Sequence, residues 1–135
     1  MHSERDQVIE QLAHLASALD RRDWDALGAA FTEDASGYGA TGRDRIVARV
    51  RAHLGGCGPS QHLLGNHRVE IDGDHARSLT YARVHHVGAA GDGAFYECFG
   101  EYDDRWTRTP DGWRVTSRTF TVSHDLGDFA VLQPG

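Results

Sequence analysis

The sequence predicts an α+β fold. Three N-terminal helices pack on one face of a curved, mainly antiparallel sheet of four to six strands, with a cavity between the two layers. Three observations predict it. In the first half, apolar residues recur at helical spacing: Val8, Leu12, Leu15 and Leu19, then Trp24, Leu27 and Phe31, then Ile46, Val47, Val50 and Leu54. From Gln61 onward the pattern becomes strand-like and is punctuated by turn residues at Asp72-Gly73, Gly88-Ala89-Ala90-Gly91-Asp92-Gly93 and Pro110-Asp111-Gly112. Gly65 and Gly100 stand inside these runs, where a glycine marks a bulge or bend. Helices followed by a meander pack as two layers, and curvature of the sheet opens the space between them.

The first helix is expected over residues 4–20, with Ile9, Ala13 and Ala16 widening its apolar stripe. Asp20 continues the row of Ile9, Ala13 and Ala16. It therefore sits at the edge of the buried face, while Arg21 and Arg22 turn to solvent. Asp23 is placed to cap the second helix, and a short strand follows over 35–38. Thr41 and Asp44 resemble a capping box, with Asp in place of the usual Glu, and start the third helix. Gly55-Gly56 stops it. After the break at Gly58-Pro59, strands are expected over 61–71, 75–87, 94–107 and 113–124. A type I′ turn at Asp72-Gly73 joins the first two. His62, Leu64 and Asn66 share one face of their strand, whereas Val69 and Ile71 have the opposite parity. A bulge near Gly65 reconciles the two halves.

The 135 residues are read as one domain, residues 1–135, with a tail over 125–135. A net charge of −6 argues against nucleic acid as a partner, because phosphate binding needs a basic face. No apolar run reaches the length of a membrane span. The polar N-terminus has no signal-peptide core, which places the protein in the cytoplasm. Cys57 and Cys98 make neither a disulfide framework nor a zinc motif and read as reduced thiols. Asp20, His62 and His86 could form a two-histidine, one-carboxylate metal site, but no HxH, HxxxH or HExxH spacing supports one. No glycine-rich phosphate loop follows a strand. Neither a metal nor a cofactor is expected.

Three short pieces carry a family resemblance: Leu19-Asp20-Arg21-Arg22-Asp23-Trp24-Asp25, Gln61-His62-Leu63-Leu64-Gly65 and Asp111-Gly112-Trp113-Arg114-Val115. In their order and spacing the chain resembles the SnoaL-like group of the nuclear-transport-factor-two-like superfamily. Scytalone dehydratase and hexachlorocyclohexane dehydrochlorinase are the members compared. The resemblance implies a cone-shaped α+β barrel with its site in an apolar interior. It implies a helix-one aspartate, matched by Asp20, bonded to a strand histidine, matched by His62, that acts as general base. His86 matches a second histidine, Tyr38 a tyrosine after the second helix, and Asp103, more loosely, a strand asparagine. Leu19 stands where the dehydratase has a tyrosine, so one of two hydroxyls beside the leaving group is missing. Assembly into homodimers or homotrimers through the outer sheet face is also implied.

The residues themselves leave alternatives open. Asp20 and His62 are either a helix cap and a satisfied core histidine, or a base with its orienting carboxylate. An imidazole is a base near neutral pH without special tuning, and a carboxylate on its far nitrogen fixes the tautomer. His85 and His86 point to opposite faces. The face of Ala82, Val84 and His86 suits a pocket wall, which puts His86 inward as electrophile or hydrogen-bond donor to substrate. Tyr38 is either a hydroxyl donor or a packed tyrosine at the rim. Of Asp103 and Asp104, at least one faces solvent. Arg118 is either a partner for an anionic leaving group or a plain surface arginine. Leu19, Leu64, Asn66, Asp103 and Arg118 are the candidate substrate contacts. With the resemblance added, the expected activity is that of a lyase of dehydratase type acting on a small, largely apolar molecule, and the resemblance implies a place in secondary metabolism. A cyclase, an isomerase or a non-catalytic binding module are the alternatives.

Overall fold

Ser3 accepts a hydrogen bond from the Asp6 N–H and so starts α1 (Glu4–Arg21). Glu4 and Asp6 sit at the positive end of this helix, and Val8, Leu12, Leu15, Ala16, Ala18 and Leu19 are buried along it. The computed structural model describes residues 2–133, so Met1 and the last two residues of the expected tail lie outside the described residues. Asp23 caps α2 (Trp24–Ala29). Next come β1 (Phe31–Gly37), β2 (Ala40–Thr41), α3 (Arg43–Leu54), β3 (Ser60–Asp72), β4 (His75–Val87), β5 (Phe95–Thr109) and β6 (Gly112–Gly127). A single 3-10 turn, Phe129–Leu132, follows. No helix among the described residues is long and apolar enough to cross a membrane.

The six strands form one sheet in the order β2-β1-β6-β5-β4-β3. All neighbours are antiparallel except β1, which lies parallel to β6. The α+β cone is therefore present, but β2 and β3 are free edges and the expected barrel stays open. Phe31, expected in the second helix, begins β1 instead, because Ala30 gives its carbonyl to the Val115 N–H of β6 and the helix cannot continue. The expected capping box does not form. Thr41 pairs with Ser36 across β1 and β2, and Gly42, at φ 97°, is the cap of α3 without a side-chain bond.

The bulge in β3 is where the parity required it. Gly65 pairs with Tyr81 and Arg68 with Leu79, so one extra residue is accommodated, and Asn66 takes φ 52°. His62 and Leu64 before the bulge, and His67, Val69 and Ile71 after it, all turn toward the helices; Asn66 is thrown outward into solvent. The hairpin loop to β4 is Gly73-Asp74 rather than Asp72-Gly73, because Asp72 still pairs with His75. Only Gly73 has positive φ, the pattern of a type II′ turn, not I′.

Two clusters make the interior. The larger joins all three helices to Phe31, Trp106, Trp113 and Val115. The smaller lies on the other half of the β4–β5 hairpin and consists of Ala82, Val84, Tyr96, Cys98 and Tyr102. Residues 125–127 of the expected tail extend β6, and Leu132 of the 3-10 turn packs against both clusters.

Candidate active site

The end of α1 and the start of β3 meet at one carboxylate. Asp20 Oδ1 accepts from His62 Nδ1 at 2.6 Å and from Ser60 Oγ at 3.1 Å; Oδ2 accepts from the His62 backbone N–H at 2.9 Å. The His62 side chain is 6% exposed and that of Asp20 22%. Burial alone would raise the Asp20 pKa. The bonds from the His62 ring and backbone, the charge of His62 and the Ser60 hydroxyl outweigh it and hold the carboxyl below its ordinary value. An ionised carboxylate only accepts, so in the neutral form of His62 the proton sits on Nδ1 and Nε2 carries the lone pair.

Arg22 was expected in solvent and turns inward instead. It ends α1 in the left-handed conformation, φ 55°. From there its guanidinium donates to Leu19 O at 2.8 Å, Ser60 Oγ at 2.8 Å and Gly58 O at 2.7 Å. The Ser60 hydroxyl passes this contact on to Asp20.

His86 is buried and points inward, and His85 points outward to Glu97. His86 Nδ1 lies 2.9 Å from Tyr96 O. A carbonyl only accepts, so this nitrogen carries the proton and Nε2 is again the lone-pair side. In the neutral ring the nitrogen left free is therefore an acceptor, whereas the expected role was that of electrophile or donor. Burial pushes its pKa below the ordinary 6.5, with the charges of His62, Arg22 and His85 adding to the effect and the Tyr96 carbonyl opposing it. The His62 and His86 rings stand edge to face with centroids 6.3 Å apart.

Both histidines line an apolar cavity of about 250 Å³. Leu19 of α1, Val50 and Leu54 of α3, Val84 of β4 and Cys98 of β5 form its walls, and Leu132 reaches it from the 3-10 turn. Tyr38, Tyr102 and Phe120 also line it. Behind these tyrosines lies Arg118. It is 5% exposed, not a surface residue, and its Nε and Nη2 donate to Asp104 Oδ1 and Oδ2 at 2.8 and 3.0 Å. Its Nη1 donates to the Tyr38 hydroxyl at 3.1 Å, and its guanidinium carbon stands 3.7 Å from the centroid of the Tyr102 ring.

Of the expected substrate contacts, Leu19 lines this cavity. Leu64 packs against the core beside it. Asn66 lies outside, displaced by the bulge. Asp103 points to the outer face and pairs with Arg77 at 2.9 Å, because the inward register of β5 falls on even positions. Asp104 is the inward carboxylate. Ser60, Arg22, Tyr102 and Asp104 were missed as parts of the site. Parity could have found the last two, since they share a face with Trp106, a secure core residue. Among the described residues no group of three or more His, Cys, Asp or Glu is placed to hold a metal ion.

The SnoaL-like domain model matches residues 2–119. The uncharacterized protein Rv2910c of Mycobacterium tuberculosis is 35% identical over 125 residues, covering 88% of this chain and 85% of its own. Among solved structures, a candidate scytalone dehydratase from Novosphingobium aromaticivorans is similar with a TM-score of 0.83 at 18% identity, over 96% of this chain and 91% of that one. The hexachlorocyclohexane dehydrochlorinase LinA-type3 from Novosphingobium barchaimii LL02 is similar with a TM-score of 0.80 at 14% identity, over 93% and 90%. At such identities these two structures establish the shared fold.

Proposed function

The chain belongs to the SnoaL-like domain family, and from that premise we propose that it is a lyase of dehydratase type, in which His62 removes a proton from a small, largely apolar organic substrate. The observation that supports this reading is the 2.6 Å bond from His62 Nδ1 to Asp20 beside the cavity of about 250 Å³. His62 Nε2 takes a proton from a carbon next to a carbonyl. The C–H electron pair moves into the new double bond, and the carbonyl oxygen gains charge. Collapse of that enolate breaks the C–O bond at the neighbouring carbon, and the His62 imidazolium returns its proton to the departing hydroxyl, which leaves as water and restores the neutral base. Asp20 stays ionised and stabilises the imidazolium. His86 Nε2 accepts from a hydroxyl of substrate and orients it, and Tyr38 donates to the oxygen gaining charge. Such a base contributes roughly 100- to 10,000-fold in rate. These side chains suffice for the chemistry without a cofactor.

The test is a panel of small β-hydroxy ketones incubated with the protein in deuterium oxide and followed by NMR. Alkene signals are expected, and His62→Gln abolishes them. α-Deuteration or a shifted double bond without water loss would redirect the reading to an isomerase. Turnover that survives His62→Gln removes His62 as the base.

We also propose that the protein works as a homodimer or homotrimer in the cytoplasm. Leu63 is 63% and Tyr81 56% exposed on the outer sheet face, where they border one groove with Phe99. Light scattering of the purified protein, with Leu63→Glu and Tyr81→Glu as dissociating variants, decides it.

A further inference from the structure

Two chemically different sets of groups line the cavity, alongside Arg49 and His53. In one, His62 and His86 in their neutral forms each present an Nε2 lone pair, because Asp20 and the Tyr96 carbonyl hold the Nδ1 protons. These are hydrogen-bond acceptors. The other set is Tyr38 and Tyr102. Tyr38 oxygen accepts from Arg118 Nη1 at 3.1 Å, which leaves its own O–H free to be donated. Tyr102 is 3% exposed. Its hydroxyl makes no hydrogen bond among the described residues, although its ring is fixed between Arg118, 3.7 Å away, and Phe120, 4.5 Å between centroids. A hydroxyl that opens onto a cavity and has no partner in the protein is free to donate to whatever occupies the cavity, water or substrate. Burial, with the neighbouring Tyr38 and Asp104 adding, holds its pKa well above the ordinary 10, so it keeps its proton and donates.

A Cβ at Gly100 would lie 2.8 Å from the Phe120 ring and 2.4 Å from Thr121 O. Glycine there lets Phe120 lie against Tyr102 and line the cavity.

We infer that Tyr102 is a substrate-binding residue, and that with Tyr38 it forms a two-donor site for an oxygen that only accepts: the carbonyl of a ketone or aldehyde, and the enolate oxygen it becomes. This rests on the reading of His62 as the base and narrows the substrate to a carbonyl compound with a removable proton beside the C=O. When His62 Nε2 takes that proton, the C–H electron pair becomes the enolate double bond and the negative charge settles on the oxygen held by the two hydroxyls. Arg118, paired to Asp104 and behind both tyrosines, is a positioning residue. It fixes the Tyr38 oxygen and the Tyr102 ring without touching substrate.

Binding tests this without turnover. The probes are 1-tetralone, whose carbonyl accepts and cannot donate, and tetralin, its oxygen-free counterpart, each titrated calorimetrically. The wild type is expected to prefer tetralone, and Tyr102→Phe to weaken tetralone about fivefold, one hydrogen bond's worth, while leaving tetralin unchanged. Tyr38→Phe behaves alike, and His62→Gln leaves the tetralone preference in place. The melting temperature of Tyr102→Phe stays at the wild-type value, because the lost hydroxyl had no protein partner. Tetralone affinity unaffected by Tyr102→Phe, equal losses for both probes, or no preference in the wild type would each overturn the inference. Loss of His62 as the base would show in the hydroxy-ketone assay and leave these titrations untouched, so the two readings fail separately.

Discussion

Asp20 binds His62 at two points, the ring Nδ1 at 2.6 Å and the backbone N–H at 2.9 Å, with its two oxygens divided between them. One carboxylate thus fixes both the tautomer of the ring and the position of the strand that carries it.

Asp20→Asn cannot replace this arrangement. The amide offers one acceptor where two donors point, and its NH2 faces an N–H. The expected result is a fall in kcat/KM of roughly 100- to 10,000-fold, together with a lower melting temperature. An activity loss with unchanged melting would mean that the backbone contact adds nothing to stability.

Stability should fall as the solution is acidified below about pH 6.5, the ordinary histidine value. The unfolded chain takes up a proton there, while folded His86, buried and shifted downward, resists it. The unfolded state then binds more protons, so stability drops with pH until the folded ring itself titrates. His67, also shifted down by burial and by Arg5, acts in the same direction. Melting curves between about pH 7 and pH 5 should therefore show a smaller decline for His86→Gln than for the wild type, with the His67 contribution remaining.

The Asp104 and Arg118 side chains are 0% and 2% exposed. Asp104→Asn leaves an uncompensated cation inside and should destabilise by about 3–5 kcal/mol in urea unfolding. The double variant Asp104→Leu with Arg118→Met should lose less than Asp104→Asn alone, because no charge is stranded.

Gly100→Ala should destabilise by about 1–3 kcal/mol through overpacking. Adding Phe120→Leu recovers only part of it, since the nearer obstacle, Thr121 O at 2.4 Å, is backbone. Full recovery would show that the strand yields where its pairing with β6 shifts register, between Phe99 and Gly100.

The parts legible in the sequence were those governed by local periodicity. The α1 stripe, the bulge at Gly65 and the inward turn of His86 all follow from spacing alone. Spacing also put Asp20 at the edge of its helix face and His62 at the head of a strand, but their pairing came only from the family resemblance, since the residues by themselves left a helix cap and a satisfied core histidine open. What escaped notice depended on tertiary partners. Phe31 reads as a helical residue until β6 claims the carbonyl before it. Asn66 has the parity of His62, but the bulge that corrects Val69 and Ile71 also expels it. Arg22 reads as a solvated charge because the carbonyls it satisfies, at Leu19 and Gly58, are brought together only when α1 docks on β3. Arg118 needed Asp104, fourteen positions away, to be admissible inside.

The Asp20–His62 pair hangs between α1 and β3, whereas much of the cavity wall comes from elsewhere: Val84 on β4, Cys98 on β5, Phe120 on β6, Val50 and Leu54 on α3. Tool and mould are thus separate pieces of chain. Residues of the mould touch neither of the bonds between Asp20 and His62, so under the proposed function the shape that selects a guest and the groups that act on it are set by different stretches of chain.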